Sequence, residues 1–284
     1  MAESGLVAGF YLAQLAINNG NGYPMGTLLT PDAPANGTVY SPYIIQTLVE
    51  YREATPTYQE ASSYAMQKHR GRRSLGASDY GVGQLVFSEL DPTFDALAME
   101  YAVDTTIATG LSILGRNAQR VQSRRFTLWL TAGYTPSDSE PQFITFCLGN
   151  VYFNKQGGGI TQNGGQNPNN RTYDIVQNVS TRSPLGQLYS ASALDVDGDA
   201  DTEIAIIATQ PVTFATYVDD GSGTSVVLPY APASTEHAGA TNIFTKNGVT
   251  NHAGVGGISG ATLTVTAGTA ADIWVIATPS SAVL

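Results

Sequence analysis

The chain has 284 residues, room for one large or two small domains with a full core. Only 13% are charged, about half the usual share, and 30 Gly and 14 Pro favour short strands joined by turns over long helices. The formal net charge of −10 excludes a clamp for phosphate backbones. The lone Cys147 excludes an internal disulfide, and no run of 18 apolar residues can cross a membrane as a helix.

In chain order, 6-LVAGFYLAQLAI-17 reads as a strand that ends in the turn-rich 18-NNGNGYP-24. Glu3 stands where a signal peptide would carry a basic residue, so synthesis in a cytoplasm is expected. The segment 43-YIIQTLVEYREAT-55 predicts one long strand that stops before Pro56. Residues 56–83 show no clear period and predict a long loop, a length that compact domains keep when a function or a partner orders it. Lys68, His69, Arg70, Arg72 and Arg73 all fall on this stretch. After the strand 84-QLVFSEL-90 comes the best helix, 91-DPTFDALAMEYAVD-104. Asp91 suits its N-cap and Pro92 its first position, with Phe94, Leu97, Ala98 and Tyr101 on one face.

Residues 122–134 and 142–153 predict a hairpin about 135-TPSDSEP-141, and the Gly/Asn-rich 156–170 predicts an exposed flexible loop. Further strands are expected at 172–180, 203–218 and 224–230, with a last hairpin joining 261–266 to 271–278. The sum is a mainly β, mostly antiparallel protein with one short helix.

Little of the sequence reads as chemistry. The stretch 195-DVDGDADTE-203 spaces five acids at every second position. Asp195, Asp197, Asp199 and Glu203 match positions 1, 3, 5 and 9 of a calcium loop, whose hard cation takes oxygen ligands. Ala200 and Ile206 depart from the Gly and bidentate Glu of an EF-hand, which leaves a solvated acidic turn as the other reading. Cys147 lies inside 143-FITFCLGNVYF-153 and reads as a small buried hydrophobe. His69, His237 and His252 have no zinc spacing, and 157-GGG-159 leads into no phosphate-loop Lys. A structural or binding protein is expected, and no enzyme.

The order of elements around 70-RGRRSLGASDYGVG-83, 84-QLVFSEL-90 and 91-DPTFDALA-98 resembles the tail tube proteins of tailed bacteriophages. That resemblance implies an antiparallel β-sandwich or partial barrel with a flanking helix over 1–219, and a C-terminal β extension or accessory domain over 220–284. It implies stacked hexameric rings in the virion tail, made in a host cytoplasm, which meet other tail proteins and touch no membrane. DNA would pass through without sequence-specific binding. The 56–83 loop would reach a neighbouring subunit, with Lys68, Arg70, Arg72 and Arg73 meeting an acidic surface such as 195–203. Glu50, Glu53 and Glu89 would be candidates for the channel wall. A capsid decoration protein or a calcium-dependent surface-binding module is the alternative.

Overall fold

The structure, a computed structural model, describes residues 5–52, 57–65, 68–79, 82–89, 91–100, 102–104, 113–115, 124–136, 142–157, 171–177, 182–188, 203–223, 225–234, 242–251, 253–266 and 268–283. The fold is mainly β, with antiparallel sheets, one α-helix among the described residues, and no closed barrel.

The largest sheet starts from strands with long apolar runs. β1 (Gly5–Ile17) pairs with β10 (Phe126–Pro136), and β10 with β11 (Gln142–Gly157), the second pair being the expected hairpin. The far edge of β11 is shared by two strands. β13 (Glu203–Ala208) takes Phe143–Leu148, and β12 (Arg171–Gln177) takes Val151–Gly157. The change of partner falls on a bulge, where Gly149 and Asn150 lie between the Leu128–Leu148 and Phe126–Val151 pairs and Asn150 takes φ 50°. Beyond β12 the sheet continues through β7 (Val82–Phe87) to β4 (Leu48–Arg52).

At the other end, β3 (Tyr43–Ile44) pairs with β1. β3 and β4 thus bound the sheet on opposite sides, yet only residues 45–47 separate them in the chain. The sheet therefore curls until its edges meet, without a ladder to close it. The single strand expected over 43–55 is two. Its crossing residues are held from both sides, Ile45 N donating to Ala13 O (2.8 Å) and Ser88 N to Thr47 O (3.0 Å).

Alternate residues of β1, β10 and β11, among them Leu15, Leu128 and Leu148, point into the curl with Phe87, Phe153 and Tyr173. Helix α1 (Pro92–Ala98) plugs it. Asp91 caps the helix by accepting from Phe94 N (2.9 Å), and Phe94 enters between Phe87, Tyr173 and Phe153 at 4.6, 5.0 and 5.4 Å between ring centroids. The helix is shorter than the sequence predicts. Glu100 turns to φ 53°, and β8 (Ala102–Asp104) then pairs with β9 (Ile113–Gly115); Tyr101 lies outside the described residues.

Phenols fix both helix carboxylates. The Tyr43 hydroxyl donates to Asp91 (2.8 Å), and the Tyr173 hydroxyl donates to the buried Asp95, which also pairs with Arg171 (3.1 Å). Burial first, and the neighbouring carboxylate second, push the Tyr43 phenol up to about 12 and raise Tyr173 as well. The folded chain keeps these protons where an unfolded one loses them. Their stabilisation is complete below about pH 10 and is lost as the pH rises through about 12 for Tyr43. The urea midpoint should therefore fall on the alkaline side of pH 10, and the Tyr43→Phe, Tyr173→Phe double variant should flatten that slope. An unchanged slope would refute the assignment.

A second sheet covers the outer face of β1, β10 and β11. Its order is β17 (Val249–Thr250), β16 (Ile243–Lys246), β20 (Ile273–Pro279), β14 (Val212–Val218), β2 (Thr38–Tyr40). Trp129 stacks on Phe214, centroids 4.3 Å apart and rings 10° from parallel, with Ala16, Cys147 and Ala277 around them. Fully buried Gln14 joins the two sheets through its amide, donating to Val212 O (2.9 Å) and accepting from Phe214 N (3.2 Å). A third layer, β15 (Ser225–Val227), β19 (Thr262–Val265) and β18 (Val255–Ser259), shelters Tyr217, Phe244 and Trp274.

Two expectations are corrected in this half. The strand expected over 203–218 is β13 and β14, in different sheets, parted just before β14 by Pro211, which lacks the N–H a ladder needs. The expected hairpin of 261–266 with 271–278 does not form, because β19 and β20 lie in different layers. The link turns at Ala271 (φ 72°) and is pinned by Asp272, which pairs with Lys246 (2.7 Å) and accepts from Thr269 N (2.9 Å). The 219/220 boundary falls just after β14, and the second sheet draws strands from both sides of it.

Candidate assembly surface

The segment expected as a structureless loop is a β-ribbon. β5 (Thr57–Ala65) and β6 (Lys68–Asp79) run antiparallel and, among the described residues, pair only with each other. Arg52 pairs with Gln84 and Thr57 with Asp79, five residues on along each strand, so the ribbon continues the register of the β4–β7 ladder. At about 3.3 Å per residue it extends roughly 30 Å. Three register shifts along the ribbon disturb the alternation that marks a strand in sequence. Two-stranded ribbons alone are marginal in water.

Lys68, Arg70, Arg72 and Arg73 all fall on β6, in the half next to the ribbon turn, with Arg72 opposite Ser62 and Arg73 opposite Ala61. Of the acidic run, Asp195, Asp197 and Asp199 lie outside the described residues, and Glu203 opens β13 opposite Leu148. Glu50 is exposed on β4 and held by Arg52 (2.8 Å), whose guanidinium keeps its carboxyl below the usual range. Glu89 is exposed just past β7, and Glu53 is outside the described residues. Glu50 and Glu89 thus sit near the β4–β7 end of the sheet and not on β1, β10 or β11.

The structure also shows what the sequence reading missed. Across the first half of β11 the sheet has four strands, in the order β1, β10, β11, β13, each antiparallel to the next. Among the described residues β13 has no second neighbour, and β1 has none from Gly5 to Leu12. Both edges are uncharged, apart from Glu203 where β13 begins, and both expose a large apolar side chain, Tyr11 at 57% and Ile207 at 46%. The sequence did hold one signal: in 203-EIAIIA-208, Ile204 and Ile206 alternate inward, leaving Ile207 apolar at an outward position.

Comparison with protein-family models, curated proteins and solved structures finds no match.

A groove of about 470 Å³ runs beside the free edge of β1, between Phe10–Ala13 and Ile44–Leu48, with Tyr230 and Ala282 at its rim. No group of three or more metal-ligating side chains occurs among the described residues. The surface has hydrogen-bonding edges, apolar side chains and a charged ribbon, the equipment for binding another polypeptide.

Proposed function

We propose that this chain is a structural virion protein that assembles head to tail into closed rings, which stack as the tail tube of a tailed phage. The observation that carries the reading is a four-stranded section whose two outer edges, β1 from Gly5 to Leu12 and β13, take no partner strand among the described residues. β1 and β13 run in opposite directions, so β13 of one copy laid on β1 of the next adds another antiparallel ladder. A contact between different edges repeats head to tail, and it closes into a ring where its rotation divides a full turn and runs on as a filament where it does not. Six copies per ring, contacts with other tail proteins, a location in the virion, and a bore through which DNA passes without sequence readout come from the resemblance.

The ribbon supports the same reading, since a long hairpin without its own core gains stability from a neighbour. Its four Lys and Arg residues suit an acidic partner in a chain of net charge −10. Electron microscopy of the concentrated purified protein should show rings or tubes, and monomers under all conditions would overturn the proposal. Reversing charge at Arg72→Glu and Arg73→Glu should reduce assembly while circular dichroism and melting of the monomer stay unchanged. Normal tubes from that variant would remove these two arginines from the interface.

A further inference from the structure

We infer that Lys246 and Asp272 condense into an intramolecular amide, a covalent clasp between β16 and β20 formed with Asp219 as proton carrier. The three side chains stand where three neighbouring strands of the second sheet begin or end. Lys246 is the last residue of β16, Asp272 precedes β20, and Asp219 follows β14. The backbone fixes their register. Lys246 pairs with Trp274, Asp219 N donates to Asp272 O (2.8 Å), and Ala271 N donates to Asp219 O (2.9 Å).

The charged ends converge. Lys246 Nζ lies 2.7 Å from Asp272 Oδ2, and both side chains are mostly covered, at 21% and 14% exposure. Asp219 is buried and aims at the same point: a Cβ added to Gly268 would meet Asp219 Oδ2, Lys246 Nζ and Asp272 Oδ2 together. The fully buried Trp274 donates its indole N–H to Asp219 Oδ2 (3.3 Å), and its ring centroid is 5.4 Å from Lys246 Nζ. One ammonium thus faces two carboxylates beside an aromatic wall, one acid more than an ion pair needs.

Holding amine and acid in contact makes their condensation an intramolecular step. Burial raises the Asp272 carboxyl, but hydrogen bonds from Lys246 and Thr269 N outweigh it and hold the group below its usual range, so the step starts from the ion pair. Asp219 takes one proton from the ammonium, and Lys246 Nζ attacks Cγ of Asp272. A Cγ–O bond then breaks, and that oxygen leaves as water with the proton carried by Asp219 and a second from the nitrogen. Nothing is oxidised or reduced, and no co-reactant is needed.

The full-length chain, denatured and weighed by intact mass spectrometry, should be lighter than its sequence by one water. Trypsin should fail to cut after Lys246 and should release a branched peptide joining it to Asp272. Lys246→Arg keeps the ion pair but supplies no amine, so it should show the full mass and melt at a lower temperature. In Asp219→Asn the light species should accumulate more slowly, and formation at the parent rate overturns the proton-carrier role. The full mass for the unaltered chain, even after long incubation at neutral pH, overturns the amide. A lost water that persists in Lys246→Arg and gives no branched peptide, such as a succinimide at Asp220-Gly221, overturns it equally.

Discussion

Replacing Phe94 with Ala is expected to remove about 3–5 kcal/mol of stability, measured as a fall in the urea midpoint at constant slope. The side chain is fully buried and touches Phe87, Phe153 and Tyr173, rings contributed by three strands of the curled sheet. The cavity left behind cannot collapse easily, because the ladders fix the backbone on three sides and Asp91 fixes the start of the helix. The curl has no closing ladder, so the ring cluster does the work of holding the helix against it. Phe94→Leu, which keeps most of the volume, should cost far less. Equal losses from Ala and Leu would show that aromatic geometry, and not filled space, is what the plug supplies.

Trp129→Ala is expected to cost a similar amount, about 3–5 kcal/mol, and Trp129→Phe only a fraction of it. Trp129 stacks on Phe214 at the junction of the first two sheets, and its indole N–H is buried without a hydrogen-bond partner. Phe preserves a stacking ring and removes the unpaired donor, so part of the lost area is offset by relief of that desolvation. Ala removes the contact itself, leaving the Gln14 amide bonds to join the sheets around a void. A Phe variant as unstable as the Ala variant would indicate that the indole N–H does have a partner in solution.

The sequence reveals the strands better than their partners. The runs 6–17, 122–134 and 142–153 are legible because strands buried on both faces are apolar nearly throughout, and they became β1, β10 and β11. Asp91-Pro92 marks the start of α1 in the same direct way, through a cap and a proline that fit only there. What alternation does not carry is the identity of the neighbouring strand. Residues 43–55 look uniform, yet Tyr43 pairs with Leu15 and Tyr51 with Leu85, at opposite ends of one sheet. β19 and β20 look like a hairpin because both alternate and four residues lie between the expected strands, but Trp274 belongs with Lys246 and Leu263 with Val226. The ribbon is not legible for another reason, since three register shifts break the regular alternation along β5 and β6.

The candidate assembly surface is legible in the sequence only in part. The basic cluster at 68–73 stands out as a departure from a sparsely charged chain, and the structure gives it a strand to sit on. The free edges of β1 and β13 are properties of the arrangement. Gly5–Leu12 reads as a core strand because one side of it is paired along its length, and nothing in its residues says that the other side takes no partner strand among the described residues.

The layered pairing also sets an order of events in time. β1 finds β10 only after more than a hundred residues, β2 at Thr38–Tyr40 waits for Thr216–Val218, and β14 in turn waits for β20 at Ile273–Pro279. Contacts so distant along the chain make folding slow, and they keep a nascent chain from finishing its second sheet before residue 279 has emerged. The first sheet draws its last strand from Glu203–Ala208, so its ladders can form while β14 still waits for β20.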